Sequence, residues 1–152
     1  MVIAFAQQYW GQTKYWILRR GLRTLFKHGN PDVLALLGYD ITAAEKVTDV
    51  TLQPESDVAV IGGLTTVTYT VRAPETMPVY LGYRVDYVRQ NGTTTAKDFF
   101  VKRTTLPAGQ LLQGVFRLKW QQLTTRRLYP GVHRVTLLVN TQVVAESRVT
   151  LK

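Results

Sequence analysis

The pattern of hydrophobic and polar positions predicts helices in the first 40 residues of the chain. Between Thr13 and Gly29 apolar residues recur at helical spacing and basic residues fall between them, which indicates an amphipathic helix. The segment NPDVLALLG then predicts a short apolar helix with Asn30 as N-cap, Pro31 in its first turn and Gly38 at its end. Two helices joined by a tight turn form one unit of an α-solenoid, which cannot bury its apolar face alone.

After residue 44 the apolar positions alternate, which predicts β-strands. The predicted strands cover residues 46–53, 64–73, 79–90, 96–106 and 111–120. Asn91 and Gly92 mark one hairpin turn, and a last hairpin turns at Asn140 and Thr141. About seven or eight short strands in roughly 110 residues are typical of an immunoglobulin-like β-sandwich. We therefore predict a mainly β chain, an immunoglobulin-like β-sandwich preceded by a short α-helical hairpin.

The composition is that of a globular domain with an unusual charge. The chain has 152 residues, of which 45% are hydrophobic and 19% charged, but 19 basic residues face only 10 acidic ones. The net charge of +9 makes nucleic acid the first candidate partner and an anionic membrane surface the second. No cysteine is present, which excludes disulfides and thiolate metal sites and is consistent with a cytoplasmic protein. No apolar run approaches the roughly 20 residues that span a bilayer.

The charge is segregated along the chain. Residues 41–75 carry two basic and five acidic residues, a net charge of −3. Residues 97–134 carry eight basic residues and one acidic residue, a net charge of +7. A concentrated charge of one sign directs an electrostatic field at a partner, whereas a uniform charge indicates only solubility.

Two segments supply the basic residues that we expect to meet a polyanion. The helix contributes Arg19, Arg20, Arg23 and Lys27. The loop before the Tyr-Pro-Gly turn contributes Lys119, Thr124, Thr125, Arg126 and Arg127, with Gln121 and Gln122 as further donors suited to phosphate oxygens. An ordinary solvated polar face is the competing interpretation for both segments.

Residues for catalysis are scarce in this sequence. No HExxH, GxSxG, P-loop or dinucleotide-binding glycine pattern occurs, and no catalytic residue, metal site or cofactor is predicted. His133, after the Pro-Gly turn, is expected to pin a corner of the sandwich, and His28 is expected to be structural at a helix end. Asp86 lies in a tyrosine-rich strand and is expected to face solvent with Arg84. A general base at Asp86 is the enzymatic alternative.

The two halves of the chain resemble one known family. Residues 15–39, YWILRRGLRTLFKHGNPDVLALLGY, resemble the closing HEAT-like repeat of bacterial DNA alkylation repair proteins. VDYVRQNG, AKDFFVK and TTRRLYPGVHRVTLLVN are similar to the Ig-like domain appended to AlkC-type 3-methyladenine DNA glycosylases. The resemblance covers nearly the whole chain and implies a terminal HEAT-like repeat in residues 1–40 and an Ig-like domain in residues 41–152.

The resemblance implies DNA binding without catalysis. In that family the HEAT-like repeats wrap the duplex and carry the catalytic acidic residue, and the Ig-like domain reaches a DNA groove. The catalytic repeats are absent here, so either a fragment or a short relative is expected. The basic helix residues would contact phosphates, and Thr124 to Arg127 would face the groove. The implied partners are double-stranded DNA and an upstream or separate HEAT-repeat domain, with no membrane.

Two other functions remain open on the sequence. In the first, the chain is a protein interaction module that docks an acidic partner or a separate HEAT-repeat subunit. In the second, it is an enzyme that uses Asp86 or another carboxylate.

Overall fold

The computed structural model describes residues 29–123 and 127–152, which form a β-sandwich preceded by two short helices. The helices are α1 (Pro31–Leu36) and α2 (Ala43–Lys46). The strands are β1 (Thr48–Pro54), β2 (Val58–Ala59), β3 (Leu64–Arg72), β4 (Met77–Val88), β5 (Thr94–Leu106), β6 (Leu111–Lys119), β7 (Gly131–Val139) and β8 (Gln142–Leu151). The predicted mainly β architecture is confirmed.

The strands form two sheets. The smaller sheet has the order β1-β3-β6 and the larger one β2-β8-β7-β4-β5. All neighbours are antiparallel except β2 and β8, which are parallel. The two-residue strand β2 was not predicted, because two residues are too few to show alternation. Strand β4 begins at Met77, two residues before the predicted start at residue 79, and therefore includes Pro78. Strand β7 pairs with β4 only from Leu81, so the missing N–H of Pro78 breaks no bond to that neighbour.

The core lies between the two sheets and is built from alternate positions of each strand. Val67, Tyr69 and Val71 of β3 are buried on one face, as their spacing predicts. Tyr83 of β4 crosses to the other sheet and stacks on Phe116 of β6, with ring centroids 4.0 Å apart and planes inclined by 4°. The tyrosines of β4 therefore contribute to packing.

Helix α1 begins and ends at the predicted residues. The side chain of Asn30 accepts hydrogen bonds from the backbone N–H groups of Asp32, at 3.0 Å, and Val33, at 3.2 Å. Pro31 opens the helix, and Gly38 follows it with a φ of +89°. The predicted helix between Thr13 and Gly29 lies outside the described residues apart from Gly29 itself. That helix and the domain division at residue 40 stay predictions.

Helix α1 packs against the outward face of the larger sheet. Val33 and Leu34 are fully buried there, beside Tyr39, Ile41 and Tyr80. The rings of Tyr39 and Tyr80 meet edge to face with centroids 6.0 Å apart. The end of the helical segment is thereby fixed on the sandwich.

Candidate nucleic-acid interface

The predicted loop emerges from a fixed point at the end of β6. Trp120 is buried, and its indole Nε1 donates to Oγ1 of Thr65 at 2.8 Å. Its backbone N–H donates to the carbonyl of Gly63 at 3.0 Å. Gly62, in the turn before β3, has a φ of +92°, a conformation that favours glycine.

The side chain of Gln122 closes the base of this loop. Its Nε2 donates to the carbonyl of Leu128 at 2.9 Å, and its Oε1 accepts from the N–H of Leu128 at 2.8 Å. Leu128 itself is buried in the core. Both ends of residues 123–127 are therefore held. Both polar atoms of the Gln122 amide pair with the backbone of Leu128, and one N–H of Nε2 remains beyond these two bonds, so the predicted contact of Gln122 with phosphate oxygens stays a prediction.

His133 ties the segment after the loop to the end of β4. The imidazole is fully buried, its Nδ1 donates to the carbonyl of Gly131 at 3.1 Å, and its Nε2 accepts from the N–H of Val88 at 3.4 Å. Its ring meets Trp120 edge to face at 5.2 Å. Burial lowers the pKa of His133, so the neutral tautomer is held, and its structural role is confirmed.

Only two of the predicted DNA-contacting residues lie in the described part of the chain. Lys119 is exposed at the end of β6, and Arg127 is exposed where the loop returns. The others lie outside the described residues, so their part in the site stays a prediction: Arg19, Arg20, Arg23, Lys27, Thr124, Thr125 and Arg126.

A cavity of about 390 Å³ brings Arg127 together with a residue that sequence reasoning missed. That residue is Arg89, which lies just before the Asn91-Gly92 turn of the β4–β5 hairpin. The described residues that line the cavity are Tyr87, Val88, Arg89, Gln90, Thr95, Arg127 and Tyr129. In the sequence, Arg89 could be noticed only as a basic residue beside a predicted hairpin turn. Its place beside Arg127 depends on the packing of that hairpin next to the loop.

Most carboxylates near this end of the larger sheet are already paired. The guanidinium of Arg134 binds Asp86 at 2.6 Å, and that of Arg84 binds Asp98 at 2.6 Å. Asp98 raises the pKa of Arg84 by this hydrogen bond. The prediction that Asp86 faces solvent with Arg84 is wrong. Asp86 is only 7% exposed, because the register of β4 and β7 places Arg134 directly opposite and over it.

Several basic side chains have no such pairing. Within residues 29–123 and 127–152, the following have no carboxylate within 4.0 Å: Arg89, Lys97, Lys102, Arg103, Arg117, Lys119, Arg127 and Lys152. The same part of the chain holds no group of three His, Asp or Glu side chains placed for a metal ion. Its two helices are too short to cross a membrane. The arrangement can thus attract an anion.

Comparison with solved structures shows that this fold is similar to part of a protein solved in complex with DNA. The chain superposes with a TM-score of 0.81 and 31% identity on the Pseudomonas fluorescens alkylpurine DNA glycosylase AlkC bound to DNA containing an abasic site analog. The match covers 91% of this chain and 38% of that one. A β-glucosidase from Listeria innocua, in complex with laminaribiose, matches with a TM-score of 0.55 over 68% of this chain and 16% of its own, at 16% identity, and shows the fold alone.

Sequence comparison identifies the family. The protein YhaZ of Bacillus subtilis (strain 168) is 28% identical over 140 residues, which are 91% of this chain and 39% of that protein. The chain thus spans about two fifths of the relatives it matches. The family model described as "Uncharacterised protein YhaZ, C-terminal Ig-like domain" matches residues 46–152. The predicted immunoglobulin-like fold is confirmed, and the chain belongs to the family of the YhaZ C-terminal Ig-like domain.

Proposed function

We propose that this chain is the DNA-binding C-terminal portion of a DNA alkylation repair protein of the AlkC type. The observation that carries the proposal is the similarity, over 91% of the chain and at 31% identity, to an alkylpurine DNA glycosylase bound to DNA. In this proposal residues 1–40 are the last HEAT-like repeat and residues 41–152 the Ig-like domain. The catalytic repeats belong to an upstream or separate HEAT-repeat domain.

The charge distribution supports duplex DNA as the partner. Basic side chains that lack a carboxylate partner can neutralise phosphates and release counterions, which makes binding strongly dependent on salt. Arg127 and Lys119 are two of them, at the same end of the sandwich. The closure of the loop by Gln122 supports the proposal further, because a loop with fixed ends loses less conformational freedom on binding.

The proposed contacts come from two segments. The first is the predicted basic helix, which contacts phosphates through Arg19, Arg20, Arg23 and Lys27. The second is the loop formed by Thr124, Thr125, Arg126 and Arg127, which faces a groove with Lys119 beside it.

The test is duplex binding by fluorescence anisotropy across a salt series. The variant Arg126→Ala/Arg127→Ala is compared with Lys102→Ala/Arg103→Ala, an adjacent basic pair on β5 at the opposite end of the sandwich. We expect affinity to fall steeply with salt, and the loop variant to lower both the affinity and the salt slope more than the control variant does. An equal loss in both variants would overturn the loop assignment. Failure of the intact chain to bind at low salt would overturn the proposal and favour a module that docks an acidic protein.

A further inference from the structure

We propose that the cavity between the β4–β5 hairpin and residues 127–129 binds one backbone phosphate of a DNA strand between Arg89 and Arg127. The inference rests on the proposed function and names a phosphate site within that surface. No comparison points to Arg89, which lies outside the predicted loop and enters only through the geometry of the cavity.

The charge of the cavity suits a phosphodiester. Two arginines and no carboxylate occur among its described lining residues. Neither arginine has a carboxylate within 4.0 Å in the described part of the chain. The guanidinium group is planar and presents paired N–H donors that match two phosphate oxygens, so two such groups can hold one phosphate from both sides.

The size of the cavity limits the ligand to a small unit. Its volume of about 390 Å³ lies near the lower end of the range of roughly 300–1,000 Å³ for small-molecule sites. That space accommodates a phosphate with its adjoining sugar. Tyr129, which is half-buried at the wall, offers an aromatic surface for the sugar and a hydroxyl for its oxygens.

The backbone on each side of the cavity is fixed. The N–H of Arg89 donates to the carbonyl of Thr93 at 2.7 Å, and the carbonyl of Arg89 accepts from the N–H of Gly92 at 3.0 Å. Asn91 Oδ1 secures the same turn by accepting from the N–H of Thr93 at 3.1 Å. On the other side, Leu128 is held by Gln122 directly after Arg127. A ligand would therefore chiefly order the two long arginine side chains.

His133 joins the two sides. It accepts from Val88, the last residue of β4, and donates to Gly131, which follows the loop. Gly131, with a φ of +147°, lies so close to Val88 that a Cβ there would come within 3.1 Å of the valine side chain. The hairpin and the loop segment are therefore held at a set separation before a phosphate arrives, which favours binding.

The experiment compares Arg89→Ala, Arg127→Ala and the double variant, with Arg103→Ala as the control that removes the same charge at the far end of the same two strands. Duplex affinity is measured by anisotropy at several salt concentrations. We expect Arg89→Ala to weaken binding roughly tenfold and to lower the salt slope by about 1, and Arg103→Ala to do less. The double variant should lose less than the product of the single losses, because both residues hold one phosphate. Arg89→Lys should be intermediate.

A second readout uses the intact chain with thymidine 5′-monophosphate and with inorganic phosphate. Amide NMR shifts are expected at Arg89 and Tyr129 with the nucleotide, and weaker shifts at the same residues with phosphate. If duplex DNA binds but Arg89→Ala behaves like Arg103→Ala, the cavity is not a phosphate site and the proposed function stands. If the intact chain does not bind duplex DNA, the proposed function and this inference fail together.

Discussion

The side-chain amide of Asn140 donates to the backbone carbonyl of Asp40 at 2.8 Å, which joins the β7–β8 turn to the segment that leaves helix α1. The same side chain accepts from the N–H of Tyr80 at 2.8 Å, and the backbone N–H of Asn140 donates to the carbonyl of Tyr80 at 2.9 Å. Asn140 is fully buried, so each of its side-chain polar atoms is paired. One residue thus links the helical segment, β4 and the last hairpin.

Asn140→Asp tests this link. The substitution keeps the shape but replaces the donor with an acceptor, so a buried carboxylate oxygen would face the carbonyl of Asp40. We expect the free energy of unfolding to fall by roughly 3 kcal/mol in urea denaturation. Asn91→Asp is the matched control, because the side chain of Asn91 acts only as an acceptor, from Thr93, in an exposed turn. A loss of less than about 0.5 kcal/mol at both positions would contradict the link.

Thr141→Gly should stabilise the chain. Asn140 and Thr141 both have positive φ, +48° and +70°, which is the conformation of a two-residue hairpin turn that favours Asn-Gly. A β-branched residue is strained there, and glycine relieves that strain. We expect a gain of about 1 kcal/mol in the free energy of unfolding by urea denaturation. A loss would mean that the contact of the Thr141 hydroxyl with Gln142 outweighs the backbone strain.

Stability should fall as the pH drops below about 6.5, because of His133. Burial lowers the pKa of His133 in the folded chain, so the unfolded chain binds more protons in this range. The stabilisation is fully present above the unfolded pKa of about 6.5 and is lost as the pH falls toward the folded pKa, by up to about 1.4 kcal/mol per pH unit. Protonation also removes the acceptor that Nε2 offers to Val88.

The measurement is urea denaturation at several pH values between about 7.5 and 5.5, above the range of ordinary carboxylates. His133→Gln should be less stable at pH 7.5 and should lose the slope. His28→Gln, at the chain's other histidine, should keep it. If the pH dependence of stability disappears with His28→Gln and persists with His133→Gln, the effect comes from His28 and the prediction for His133 is wrong.

Gln122→Ala should weaken duplex binding although it removes no charge. The variant loses both hydrogen bonds to Leu128 and frees the ends of the loop, so binding must order more of the chain. We expect the free energy of unfolding to fall by about 1 kcal/mol and affinity to fall several-fold with an unchanged salt slope. Gln121→Ala, at the exposed neighbouring glutamine, is the control. Equal affinities for the two variants would show that loop closure is irrelevant to binding.

Much of the fold could be predicted from local patterns. The alternation of Val67, Tyr69 and Val71 indicates which face of β3 is buried, because side chains of a strand alternate between its faces. Asn30 and Pro31 predict the start of α1, because capping depends on the residues immediately around the helix end.

The candidate site depends on contacts that local patterns do not contain. Arg89 and Arg127 line one cavity because a hairpin packs beside a distant loop, and Asp86 is covered because strand register places Arg134 opposite it. A sequence shows parity along one strand but not the register between two strands. The local sequence likewise predicted that Asn140 lies in a turn, but it could not predict the hydrogen bonds of Asn140 to the distant residues Asp40 and Tyr80.

The hydrogen bonds between Gln122 and Leu128 make the folding of the sandwich largely independent of the residues that the loop uses for recognition. Because they close the loop at its base, the identity of the residues at 124–126 matters little to the pairing of β6 and β7 with their neighbours. Substitutions there can alter recognition at small cost to folding, as in the hypervariable loops of antibody domains. Relatives that share the sandwich are therefore free to diverge in this loop, and a loop transferred between them with its glutamine and leucine should carry its binding preference along.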